Sequence, residues 1–246
     1  RFVVTEIGQV YYGHCKAMLV EAESAEMAIQ QSQAEPCGIV RMTCPTAMLD
    51  SRIAAMVSDF MVRYPQVVVH LEDTNRRVDV LGEGIDLAVR VRPPPIEDSD
   101  LVMRVLGERG QILVASPNLL KGLTIASPAD LAQLPSMELG LPHNNYQWTL
   151  YGPNGAEVVI RYKPRLITRG LFALRTAAVA GVGVVKLPIM MVTEELARGE
   201  LVRVLPEWAP RREILHLVFP SRRGLLPSVR ALIDYFVERF AALEDE

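Results

Sequence analysis

The residue types able to do chemistry are scattered through this chain. His14, His70, His143 and His216 stand far apart; they form neither an HExxH pair nor any closely spaced ligand set, and no GxSxG element supplies an activated serine. Cys15, Cys37 and Cys44 contain no CxxC pair, which indicates neither a zinc ribbon nor a disulfide framework. The acid pairs Glu72/Asp73 and Glu97/Asp98 read as solvated loop charges rather than a catalytic dyad. In the AGVGVV run, Gly181 and Gly183 resemble half of a dinucleotide fingerprint, but the third glycine is missing and the run follows a helix instead of a strand. They read as a helix C-cap and a close-packed strand start. The expectation is a protein without catalytic residues, resident metal or cofactor.

Composition narrows the class further. With 246 residues, 50% of them hydrophobic, the chain can bury a substantial core and is long enough for one large domain or two small ones. A net charge of −3 argues against general nucleic-acid affinity in the residues given, because such a surface needs clustered Lys and Arg. The first 35 positions are themselves acidic, with Arg1 and Lys16 set against Glu6, Glu21, Glu23, Glu26 and Glu35. No charged-then-apolar leader opens the sequence, and no apolar run approaches the ~18–20 residues needed to span a bilayer. The cysteine usage fits a reducing compartment, and the expectation is a cytoplasmic protein that makes no membrane contact.

The elements that must position any site begin with a long helix. Thr5 to Gln33 reads as one helix about 40 Å long at ~1.5 Å per residue. Thr5 is its cap, Glu6 complements the dipole, and Pro36 prevents continuation. Ile7, Tyr11, Cys15, Met18, Ala22, Ala25 and Ile29 recur at spacings of three and four, a narrow seam rather than the wide stripe of a helix lying on its own core. The seam predicts a dimerising linker; the competing reading is an ordinary amphipathic helix packed on its own domain.

Beyond the Pro36/Gly38 break, strands alternate with helices. Gly38–Cys44 is a strand, Leu49 to Tyr64 a helix ended by Pro65, Val67–Leu71 a strand, Val78–Gly84 a helical turn and Ile85–Val91 a strand. Alternation of this kind implies βαβ units with helices on the faces of a parallel sheet. Pro93–Pro95 interrupt it, and a second such unit follows from Leu101 to Ala197. Ile214–Phe219 and the helix carrying Val229, Leu232, Phe236 and Phe240 need a sheet to join. The economical fold is α/β: two Rossmann-like lobes joined by two crossovers, the chain leaving the first near Val91–Ser99 and returning near Leu205–Pro210. That divides the chain into 1–35 (linker), 36–98 with 206–246 (lobe I), and 99–205 (lobe II), with a cleft between the lobes.

A series of segments then carries a resemblance. RFVVTEIGQVYYGHC at 1–15 looks like the end of the winged helix-turn-helix domain of LysR-type transcriptional regulators. GIVRMTCP at 38–45, RYP at 63–65, RRVDVLGEGIDLAVRV at 76–91, AGVGVVKLP at 180–188, GELVRVLPEW at 199–208 and VFPSRRGLLPSVRALIDY at 218–235 resemble that family's effector-binding domain, in order. The resemblance implies a bacterial regulator whose two-lobed domain, similar in fold to type II periplasmic binding proteins, binds a small effector and acts through linker helices on DNA-binding domains. It also implies a dimer or tetramer, with most of the DNA-binding domain lying before Arg1. The alternative expectation is a solute-binding protein of a transport system.

By the same resemblance the effector lies between the lobes, at Thr43, Cys44, Pro45 and Thr46 on one side and at Leu139, Gly140, Thr168 and Arg169 on the other. Arg92 and Lys186 are candidate counter-charges for an organic anion. Thr46 has cap and ligand contact as equal readings, and Arg92 and Arg169 compete with solvated surface roles. For Cys44 a packed small hydrophobe outweighs a redox-active thiol.

Overall fold

The computed structural model describes residues 4–30, 35–96, 100–220 and 225–243, with backbone only for 20–30. In chain order the elements are α1 (Glu6–Gln30), β1 (Gly38–Cys44), α2 (Thr46–Met48), α3 (Ala54–Arg63), β2 (Val67–Asp73), β3 (Leu87–Arg92), β4 (Val102–Arg109), β5 (Gln111–Ala115), α4 (Pro117–Leu120), β6 (Ser136–Leu139), β7 (Gln147–Tyr151), β8 (Glu157–Arg161), β9 (Pro164–Thr168), α5 (Leu171–Val179), β10 (Val185–Pro188), α6 (Thr193–Ala197), β11 (Val202–Arg203), β12 (Glu213–Phe219) and α7 (Pro227–Ala241).

The α1 helix starts where its cap predicts: the Thr5 hydroxyl accepts from Gly8 N–H at 3.2 Å. Its described apolar side chains do not join the hydrophobic clusters of the body. Ile7 is 83% exposed, Tyr11 69% and Met18 65%, Cys15 is half-buried, and Lys16 Nζ touches the Gly82 carbonyl at 3.5 Å. Ala22, Ala25 and Ile29 lie outside the described side chains, and the expected end at Gln33 lies outside the described residues.

Lobe I is a five-stranded sheet ordered β2-β1-β3-β12-β4. β1 runs parallel to β2 and β3, while β12 runs antiparallel to β3 and β4. One face packs on α3 and α7. Phe60 and Phe236 are fully buried there among Met42, Leu87, Leu215 and Leu217, which is what the helical spacing of Phe60 with Met56 and of Phe236 with Leu232 prescribes. Between α2 and α3 the backbone widens to a π-helical stretch, Leu49–Ile53. Ser51 Oγ donates to the Ala47 carbonyl at 2.5 Å, a local competitor to the regular ladder.

The first crossover comes later than expected. β4 pairs with β12 along its length, from Val102 opposite Phe219 to Arg109 opposite Glu213, so lobe I continues to Arg109 and the chain leaves it at Gly110. Local pattern identifies β4 as a strand but cannot name a partner more than a hundred residues away. The return falls within the expected Leu205–Pro210 stretch, since Ala209 still bridges to Tyr151 of lobe II.

Lobe II is mixed. β5 is flanked by antiparallel β10 and β11, β6 and β9 are parallel, and Ser136 joins them to β10 through a bridge to Val184. A β7–β8 hairpin stands beside them; β7 and β11 are strands that sequence periodicity did not reveal. The short 3-10 helix Pro128–Gln133 begins with a reciprocal Ser127/Asp130 capping box, in agreement with the capped helix expected at Ser127–Leu131.

One buried group gives the fold a pH dependence. His216 lies inside lobe I, 1% exposed, with Nδ1 3.0 Å from the Ile214 carbonyl. Burial above all, and then the Arg90 and Arg92 charges, hold its pKa below the ordinary 6.5 despite that carbonyl contact. Below about pH 6.5 the unfolded chain therefore takes up a proton that the folded chain refuses, so this residue lowers stability as pH falls. The urea midpoint is expected to drop as pH falls below about 6.5, and to drop less in His216→Gln; equal pH slopes for the two proteins would contradict this.

Candidate functional site

A cleft of about 640 Å³ separates the lobes, a volume in the range of small-molecule sites. From lobe I it is walled by the end of β1, the start of α2, the loop after β2, and β3; from lobe II by the end of β6, the residues that follow β9, and β10. The crossovers close its floor. There Gln111 Nε2 donates to Glu213 Oε2 at 2.6 Å, and Arg109 donates to the Glu108 carbonyl at 2.8 Å while stacking over Phe240, 5.4 Å from the ring centre.

Of the residues singled out from sequence, Thr43, Pro45, Arg92, Leu139, Gly140, Arg169 and Lys186 line this cleft, whereas Cys44, Thr46 and Thr168 do not. Strand alternation explains Cys44. Its neighbour Thr43 takes the cleft-lining position, and Cys44 turns into the lobe I core, 1% exposed. Burial, reinforced by the charges of Asp73 and Asp50, pushes its thiol well above the usual range, the opposite of a reactive thiolate. Thr46 is committed to the loop after β2: its hydroxyl donates to Asp73 Oδ1 at 2.6 Å and accepts from Asn75 Nδ2 at 3.2 Å. It does not cap its helix, because Pro45 holds the cap position and the Asn75 side chain accepts the Thr46 N–H at 3.3 Å. The Thr168 hydroxyl accepts from Gly170 N–H at 3.1 Å and shapes the turn into α5. Its carbonyl accepts from Gly140 N–H at 2.9 Å, so Thr168 helps position Gly140.

Sequence reasoning missed Arg76, Arg90 and Arg109 from lobe I, and His143 and Trp148 from lobe II, all of which line the cleft. Arg90 shared the signal used for Arg92, lying two residues away on the same face of one strand. Arg76 forms a closed ion cluster, Nη2 lying 2.5 Å from Glu83 Oε2 and 3.1 Å from Glu72 Oε1; the Arg76 hydrogen bond above all, with the Asp79 N–H, lowers the Glu83 pKa to about 2. His143 and Trp148 belong to an aromatic chain in which rings 4.0 Å apart join His143 to Tyr146 and rings 4.1 Å apart join Trp148 to Tyr162. Tyr162 donates to Glu138, and burial foremost raises its hydroxyl pKa.

Two α/β lobes threaded by paired crossovers around a cation-rich cleft define a two-lobed small-molecule-binding fold. The sequence matches the LysR substrate binding domain family over residues 33–241, and the chain belongs to that family. PtxR, an HTH-type transcriptional regulator of Pseudomonas aeruginosa, is 31% identical over 95% of this chain and 74% of its own length. AaeR, an HTH-type transcriptional activator of Escherichia coli, is 28% identical over 96% of this chain and 77% of its own. Among solved structures, a variant of full-length AphB superposes with a TM-score of 0.77 at 27% identity, over 96% of this chain and 79% of that one. Full-length AphB, the Vibrio cholerae virulence activator, gives 0.73 at 27% identity, over 96% of this chain and 80% of that one.

Proposed function

We propose that this chain is the effector-sensing portion of a LysR-type transcriptional regulator. A small organic anion binds between the lobes, shifts their relative populations, and so changes the placement of DNA-binding domains through α1. The observation that carries this reading is the cleft itself, walled by both lobes and supplied with cations by each. A transport solute-binding protein would share the cleft but would have no use for a long, exposed seam helix. No helix among the described residues is long and apolar enough to cross a membrane; a regulator acting on DNA is placed in the cytoplasm.

The experiment is a thermal-shift screen of small organic acids and aromatic metabolites, since a ligand at 100 times its Kd adds about 2.7 kcal/mol to native stability. A shift that disappears in both Arg92→Met and Leu139→Arg supports binding in the cleft. A shift untouched by both overturns it.

The seam of α1 is proposed to pair with a second copy, directly as a dimer or within a tetramer. Tyr11→Glu combined with Met18→Glu places charges on that seam. The expected outcome in sedimentation analysis is a shift toward monomer with an unchanged melting curve for the lobes; an unchanged mass would remove α1 from the interface.

A further inference from the structure

The cleft is unevenly satisfied. Four cations face it without a carboxylate partner among the described residues, two from each lobe: Arg90 and Arg92 on β3, and Arg169 after β9 with Lys186 on β10. Arg90 Nη2 donates to the Val78 carbonyl at 3.0 Å, and Arg92 Nη1 to the carbonyl of its own neighbour Val91 at 2.9 Å. Of the two carboxylates that line the cleft, Glu138 accepts from the Tyr162 hydroxyl and Glu213 from Gln111 at the floor, and neither pairs with these cations. Arg76 shows the contrast, since Glu72 and Glu83 neutralise it from outside the cleft. Burial lowers the Arg90 pKa, and the charges of Arg92 and Arg77 lower it further, so an anion beside the pair would relieve a repulsion already present. Met137, Leu139 and Leu171 also line the cleft and offer an apolar body a surface.

We propose that the cleft, read above as the effector site, takes a dianion: an organic molecule with two acidic groups on an apolar spacer. One group is held by Arg90 and Arg92 of lobe I and the other by Arg169 and Lys186 of lobe II. Guanidinium groups suit carboxylates because two parallel N–H donors meet two oxygens, and a partly desolvated cleft strengthens each contact over its value in water. A monoanion engages one lobe and leaves the other cation pair unmatched. A dianion ties the lobes together, which gives ligand identity a direct mechanical consequence.

The test is calorimetric titration of the full chain with matched probes: terephthalate against benzoate, and straight-chain dicarboxylates from succinate to azelate against the monocarboxylates of equal length. At least one dicarboxylate is expected to bind about tenfold or more tightly than its monocarboxylate partner. Arg92→Met and Lys186→Met are each expected to reduce that dicarboxylate to the monocarboxylate's affinity, with Arg169→Met as a second probe of lobe II and ligand-free melting curves confirming that each variant folds. Equal affinities for one- and two-acid probes, or no binding by any dicarboxylate in the series, overturns the dianion. If a monoanionic or neutral ligand from the screen binds and loses affinity in Leu139→Arg, the cleft stands and only the dianion falls. If every ligand found is indifferent to all of these substitutions, both readings fall together.

Discussion

Replacing Phe236 by alanine is expected to cost about 3–5 kcal/mol of stability, the largest single loss outside any ligand effect. Phe236 is fully buried on α7, with Phe240 6.5 Å away between ring centres on the same helix. It belongs to the same core cluster as Phe60 of α3 and as Leu215 and Leu217 of β12. The second passage of the chain into lobe I thus supplies a large part of that lobe's core. A cavity there removes dispersion contacts from α3, α7 and the sheet together, and rigid neighbours limit collapse. Urea unfolding should show a lower midpoint with a similar slope. Because Phe236 is not among the residues that line the cleft, effector affinity measured well below the new melting temperature should change little. A loss under 1 kcal/mol would mean that α7 packs less tightly than this arrangement requires.

Gly183→Ala is expected to be nearly as damaging, at about 1–3 kcal/mol, and unlike Phe236→Ala it should reach the cleft. A Cβ built on Gly183 would lie 2.8 Å from the Pro135 carbonyl oxygen and 3.1 Å from Ser136 N. Those contacts are backbone, and no side chain can swing away to relieve them. Next to it, Val184 N–H donates to the Pro135 carbonyl at 2.8 Å and Met137 N–H to the Val184 carbonyl at 2.9 Å, so the intrusion forces β6 away from β10. β6 carries Met137, Glu138 and Leu139 into the cleft, and β10 carries Lys186. Effector affinity should therefore fall together with stability. Gly181 supplies the internal comparison. Its φ of +80° ends α5 in the left-handed region, but the nearest obstacle to a Cβ is the Ser116 hydroxyl at 3.1 Å, a side chain. Gly181→Ala should cost about 1–2 kcal/mol in backbone strain with ligand affinity kept. Equal effects on affinity from the two alanines would refute this division.

These two glycines also show how much was legible in the sequence. Gly181 and Gly183 were readable as a C-cap and a close-packed strand start because each answers to a local rule. The amphipathic stripes of α3 and α7, and the strands β1, β3, β5 and β12, were readable for the same reason. What local pattern could not supply was pairing. β4 is a clear strand in sequence, yet its place beside β12 depends on residues far along the chain, and that one pairing moved the lobe boundary from near Ser99 to Gly110.

The site divides in the same way. Thr43, Pro45, Leu139 and Gly140 sit where a strand or helix end meets the cleft, and the family pattern locates such ends well. Thr46 and Thr168 occupy those ends too, but their hydroxyls are claimed by Asp73, Asn75 and Gly170, partners visible only once the loops are folded. Cys44, named with its neighbours Thr43 and Pro45, takes the other face of the strand and is the packed small hydrophobe its residue type favours. Arg76, Arg90, His143 and Trp148 come into the cleft from three separate segments, and charge or aromaticity alone did not distinguish them from surface residues.

The central claim is that a small effector is held by both lobes at once. Hydrogen-exchange mass spectrometry with and without a ligand identified by thermal shift tests it most directly, because exchange reports local opening segment by segment. The account predicts new protection on both walls in the same experiment, around Thr43–Met48 and Val89–Arg92 of lobe I and around Met137–His143 and Arg169–Leu171 of lobe II. Protection confined to one lobe, or to a surface away from the cleft, would contradict it.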